Sequence, residues 1–225
     1  MSYVASYTWS HLISDYVDNL TGGAEPQNSY NYAAERGDSM FDVRQRFVGY
    51  LTYELPVGRS KKYLAGGGIA SYILGGWQAN TIVTKQTGTT IQLFAPDSSL
   101  SGGTHISRPD CVGDARAGAS DNPRNGLWLN PAAFALPGLG QFGNCGVGRY
   151  HGPGFTNTDI SVFKIFPLRE IMRFEFRAEF FNAFNHASFS NPGSFFAGGA
   201  GGGFGIISST VGDPRIVQFA LKLYF

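Results

Sequence analysis

The chain has 225 residues, room for one large β domain or two small ones, and a formal net charge of +1. Near-neutrality argues against a nucleic-acid partner, which calls for a clustered basic surface. With 31 Gly, 19 Phe and 11 Tyr but only 15% charged residues, strands, turns and long loops are favoured over helices, because each Gly weakens a helix by about 1 kcal/mol.

Six segments alternate with period two, the pattern of strands whose faces meet different surroundings. The first, 3–12, sets Tyr3, Ala5, Tyr7 and Trp9 against Val4, Ser6, Thr8 and Ser10. It has no Lys or Arg and no apolar run, so it does not read as a signal peptide, and an exported protein would need residues ahead of it. The second, 43–55, sets Phe47, Gly49, Leu51, Tyr53 and Leu55 against Arg46, Val48, Tyr50, Thr52 and Glu54, and Pro56-Val57-Gly58 ends it. In the third, 71–86, Trp77, Ala79, Thr81 and Val83 oppose Gln78, Asn80, Ile82 and Thr84. Residues 63–84 carry no charge, yet Gly66, Gly67, Gly68, Gly75, Gly76, Gln78, Asn80 and Thr81 leave too little apolar surface for a spanning helix.

The fourth segment, 157–166, sets Ile160 and Val162 against Asp159 and Ser161 and is cut by Pro167. The fifth, 171–182, is the clearest: Met172, Phe174, Phe176, Ala178 and Phe180 on one side, Arg173, Glu175, Arg177 and Glu179 on the other. A barrel wall with lipid outside and water inside accounts for such a strand. The sixth, 214–225, alternates Val217, Phe219, Leu221, Leu223 and Phe225 with Gln218, Ala220, Lys222 and Tyr224. Phe174, Phe176, Phe180, Phe219 and Leu221 are therefore expected to face lipid. Arg173, Glu175, Arg177 and Glu179 are expected to face the lumen, either touching ligand or forming a structural ladder; alternating signs cancel any net field and favour the ladder. Trp9, Tyr53, Trp77, Phe166 and Tyr224, near strand ends, are either interfacial girdle or core, and the barrel reading favours the girdle. Long and short connections alternate along the chain, as in outer-membrane barrels. The longest, about 86–156, is expected to be irregular with local turns. The expected fold is all-β: an antiparallel transmembrane barrel segment of about six strands with long extracellular loops.

Two resemblances follow from these residues. Gln218, Ala220, Leu223 and Phe225 resemble the C-terminal assembly signal of bacterial β-barrel membrane proteins, with Ala220 where Gly is usual. The run Asp42 to Val48, Tyr53-Glu54-Leu55-Pro56, Gly75-Gly76-Trp77-Gln78, Asn130 to Phe134, Gly152 to Phe155, Phe174 to Asn182 with Phe184-Asn185-His186, and Gly212 to Arg215 are, in this order, similar to the C-terminal barrel of Oar-like TonB-dependent receptors. In that family a barrel of about 22 strands surrounds an N-terminal plug. The resemblance implies the last part of such a receptor, lacking signal peptide, plug and energy-coupling box, and Met1 inside a strand favours a fragment. It also implies the partners: outer-membrane lipid, the rest of the barrel and plug, the barrel-assembly machinery, and the TonB complex only through the missing N-terminal region.

Other motifs have plainer readings. Gly138 to Gly143 matches a dinucleotide fingerprint but follows Pro137 in a loop, without strand or helix around it. Gly198 to Gly203 lacks a following Lys-Ser/Thr and reads as a loop tip. His11, His105, His151 and His186 are isolated in sequence, and no metal site is expected. No Gly-x-Ser-x-Gly elbow is present, so neither catalysis nor a cofactor is expected. Cys111 and Cys145 share the longest loop, where a disulfide would stabilise by about 4 kcal/mol through loop closure; free or metal-binding thiols are the alternative. The expected role is barrel wall and surface loops of an outer-membrane importer for a bulky nutrient (carbohydrate, peptide or metal chelate). The alternatives are a surface β-sheet adhesion module and, third, a soluble β-sandwich.

Overall fold

The computed structural model describes residues 1–15, 26–59, 61–101, 107–168, 171–199 and 201–225. His105 and Ala200 lie outside the described residues, as do Arg169 and Glu170 in the connection between the fourth and fifth segments. The six long strands are β1 (Ser2–Trp9), β2 (Gln45–Glu54), β3 (Trp77–Gln86), β4 (Phe155–Pro167), β5 (Arg173–Phe181) and β6 (Ile216–Tyr224). They form one antiparallel meander in chain order. Among the described residues β1 and β6 each pair on one side only, so the sheet is open.

The register explains why the alternation was legible. Tyr3, Leu51, Thr81, Ile160, Phe180 and Val217 form one row across the sheet, and Ser2, Thr52, Asn80, Ser161, Glu179 and Gln218 form the row beside it. Cross-strand neighbours share a face. All six strands therefore agree on one apolar and one polar face, and a one-residue slip would put every side chain on the wrong side. At about 3.3 Å per residue and a tilt near 40°, ten residues cover about 25 Å, the height of an outer-membrane apolar band.

Two strand boundaries differ from the sequence expectation by three residues or more. The third strand begins at Trp77, because Ile69–Leu74 forms a short helix, α1. Gly75 and Gly76 enforce the change of direction: a Cβ on Gly75 would lie 2.5 Å from both Gly58 Cα and Ser71 O, and Gly76 has φ +72. The first strand ends at Trp9, and Ile13–Ser14 instead pairs with Gly37–Asp38. No helix among the described residues is long and apolar enough to cross a membrane.

Connections 10–44, 87–154 and 182–215 leave one end of the sheet, and 55–76 and 168–172 leave the other. Among their described residues the long connections hold mostly turns, short 3₁₀ segments and two-residue strand pairs. They nevertheless share a core. Ile91, Leu93, Leu129 and Phe134 from the second long connection pack with Phe196 and Phe204 from the third, all at most 5% exposed. Phe204 stands edge-on to both Phe134 and Phe196, with ring centroids 5.0 Å away in each case. Each buried side chain of this size stabilises by about 1.5–3 kcal/mol relative to exposure. The loops thus form a packed cap over one end of the sheet.

Candidate functional site

On the apolar face, Phe176 lies between Trp77, edge-on with centroids 6.0 Å apart, and Phe219, stacked at 6.3 Å. Phe174 packs against Phe166, and Phe180 continues the row. Phe219 and Leu221 point outward, 66% and 64% exposed. On the polar face Arg177 bonds Glu175 at 2.8 Å and lies 3.5 Å from Glu179. The Tyr224 hydroxyl donates to Glu175 at 3.0 Å, and Arg173 covers the Tyr224 ring at 4.6 Å. The charged row therefore pairs along its own strand and onto β6. Gln218 and Ala220 sit on this polar face opposite Glu179 and Arg177, while Leu223 is opposite Phe174 on the other. Phe225 lies beyond the last paired residue and is 93% exposed.

The cap is tied together by polar contacts between distant loops. Cys111 and Cys145 form a disulfide with Cα atoms 5.0 Å apart. The Arg108 guanidinium, almost fully buried, bonds Glu35 and donates to Cys145 O at 2.8 Å and Ala34 O at 3.1 Å. Gln27 donates to Gly143 O and accepts from Arg108 N. The first long loop is thereby stitched into the second.

A second junction gathers groups that the sequence keeps apart. Donor atoms of Asp38, Asp42 and His151 lie within 4.8 Å of one another. Arg44 already spans the carboxylates, at 2.6 Å from Asp38 and 2.7 Å from Asp42, and His11 bonds Asp38 at 2.8 Å. The guanidinium supplies the positive charge these carboxylates need, so the cluster acts as an ionic latch. Burial pushes the Asp38 carboxyl up, but hydrogen bonds from His11 and Arg44, and their charges, outweigh it and hold it below its ordinary value. A depressed carboxylate stabilises the fold above its unfolded pKa, and the contribution is lost as pH falls through the folded value. Acidification should therefore loosen the 10–44 loop before the sheet, seen as faster hydrogen exchange near Asp38. Asp38→Asn should be less stable at neutral pH and show a flatter acid limb.

The turn after β5 is built on asparagines. Asn182 and Asn185 have φ +47 and +51, the left-handed region that Asn tolerates better than most residues. Asn182 donates to His186 O and Asp213 O and accepts from His186 N, while its own N–H goes to Asp159. Asn185 accepts from Arg215 N. This turn walls a cavity of about 280 Å³ lined by Asn157, Asp159, Phe181, Asn182, His186 and Asp213, at the cap end of the sheet. Its amides and carboxylates could hydrogen-bond a polar solute. Asn182→Ala should cost about 1–3 kcal/mol, combining unsatisfied partners with left-handed strain. The check is chemical denaturation of the assembled protein, with Asn185→Gly as a variant that keeps the backbone conformation.

Sequence reasoning missed Asp38, Asp42, Glu35, Arg108 and Lys164. Only Lys164 left a local signal, as a charge on the apolar parity of β4, two positions from Phe166. Among known proteins, a family model described as an outer membrane beta barrel domain matches residues 1–218. No curated protein matches the chain, and neither does any solved structure.

Proposed function

Because this chain belongs to the outer membrane beta barrel domain family and its place is the bacterial outer membrane, we propose that it is wall and surface cap of a TonB-dependent, Oar-like receptor that imports a bulky nutrient: a carbohydrate, a peptide or a metal chelate. The observation that carries the reading is a six-strand sheet, apolar on one face and polar on the other, whose three longest connections fold into one tied cap at a single end. In outer-membrane barrels the long connections are the extracellular ones. The cap then meets solutes at the cell surface, the Arg173 to Glu179 row faces water in the lumen, and Phe174, Phe176, Phe180, Phe219 and Leu221 face hydrocarbon. The two unpaired sheet edges require further strands, which the rest of the receptor would supply together with a plug; the TonB complex would act through that plug. Gln218, Ala220, Leu223 and Phe225 would be read by the barrel-assembly machinery. The role is non-catalytic and needs no cofactor.

The competing reading is a surface adhesion module without transport. Removing residues 87–154 in frame in the native host separates the two. Labelled polysaccharide, peptide and metal-chelate pools are offered with and without a protonophore. Import predicts protonophore-sensitive accumulation of one pool that is lost with the deletion. Surface binding without energy-dependent accumulation would overturn import in favour of adhesion.

A further inference from the structure

Helix α1 lies on the apolar side of the wall, at the end away from the cap. Lys164 shows this: it stands opposite Trp77 and Phe176, on the lipid-facing parity. Its ammonium donates to the Tyr72 and Ile73 carbonyls of α1 and sits 4.4 Å from the Phe166 ring centre. Trp77 donates its indole N–H to Ile73 O, and the Tyr72 hydroxyl reaches Pro167 O. A bare Lys on a lipid face is costly, and α1 covers this one to 3% exposure.

The cover creates a new surface. Ile69, Ile73 and Leu74 are 80%, 53% and 55% exposed, and α1 joins the apolar face through Tyr72, whose ring lies 5.9 Å from that of Phe166, itself packed on Phe174. Beside them, in the same connection, stand Arg59, Lys61 and Lys62. Glu54 neutralises Lys61 at 2.9 Å, while Arg59 and Lys62 are exposed. Between this basic segment and the helix lies an open cleft of about 770 Å³, bordered by Arg59, Lys61, Gly67, Ser71 and Tyr72. Apolar side chains beside exposed cations mark a segment that lies in a membrane interface and attracts anionic lipid.

We propose that the 55–76 connection is a lipid-binding anchor: α1 inserts its apolar side chains at the boundary of the inner, periplasmic leaflet, Arg59 holds the phosphate of an anionic phospholipid in the cleft, and Lys62, exposed beside the cleft, adds to the attraction. This rests on the orientation given above, with the cap outside the cell. The cation–phosphate contact sets headgroup preference, and α1 sets depth.

The test uses the assembled receptor in nanodiscs of phosphatidylcholine, with or without phosphatidylglycerol, and native mass spectrometry to count retained lipid. Wild-type protein should retain phosphatidylglycerol in preference to phosphatidylcholine, and inorganic phosphate should not displace it. Arg59→Glu with Lys62→Glu should reduce that retention about tenfold or more, with heat-modifiable folding intact. Arg215→Glu, in a connection at the cap end, should leave it unchanged. Equal retention by the double variant, equal retention of both lipids, or displacement by phosphate would overturn the proposal. Orientation is read separately from a Lys62→Cys variant, which impermeant maleimide should label only from the periplasmic side. Retention with labelling from the outside would break the orientation and leave the lipid site standing.

Discussion

Arg108→Ala should be among the most damaging single changes in the cap, costing about 3–5 kcal/mol, because it strands a buried carboxylate. Glu35 is 1% exposed and takes its ion pair from Arg108. The same guanidinium also satisfies the Cys145 and Ala34 carbonyls, so its removal leaves three acceptors short of donors. Loss of packing around the aliphatic stem adds to the effect. Native-state hydrogen exchange should register it at the Cys145 amide, which bonds Pro109 O, with β4 and β5 amides little changed. Arg108→Met combined with Glu35→Leu should recover most of the loss, since two apolar residues leave no buried charge behind. A single variant that costs under about 1 kcal/mol would mean that water reaches Glu35 and that the pair is not a fastener.

How far the sequence could be read depended on the range of the interactions. A strand records its two environments within itself: Phe174, Phe176 and Phe180 against Glu175, Arg177 and Glu179 state the faces without any partner in view. All six strands could be located in this way, and their meander order follows from antiparallel neighbours joined in sequence. The misplaced start of β3 has a local cause. Ser71 to Leu74 is too short and too apolar to distinguish helix from strand by period, and Gly75 marks the break only once its contact with Gly58 is known.

The cap leaves no such trace. Gln27 meets Gly143 across 116 positions, and Glu35 meets Arg108 across 73. Neither contact has a period, and the loops they join are rich in Gly and Pro. His151 looked isolated because Asp38 and Asp42 lie in another loop altogether. Two cysteines in one loop could be suggested as partners, whereas an Arg and a Glu in different loops could not. Lys164 is intermediate: its parity was readable, but the α1 carbonyls that accept from it come from a segment whose helix was not.

Phe176→Arg should cost the assembled barrel about 2–4 kcal/mol, because the new charge would face hydrocarbon near mid-strand. Two local terms act in the same direction. The edge-on contact with Trp77 and the stack on Phe219 disappear, at about 0.5–1.5 kcal/mol each. The new cation also stands directly opposite Lys164, whose ammonium is already buried under α1. Glu175→Gln, one residue away, should cost far less, because it removes a charge and places none in hydrocarbon. Its amide oxygen can still accept from Tyr224, and Arg177 keeps Glu179. Denaturant titration of the two variants in the assembled outer-membrane protein gives the comparison, and equal sensitivity would refute the assignment of faces. Phe176→Trp then asks what lies outside. If the face meets acyl chains, brominated lipid should quench that indole in a reconstituted bilayer. A β-sandwich would bury the same residue in protein, and lipid bromine would leave its fluorescence untouched.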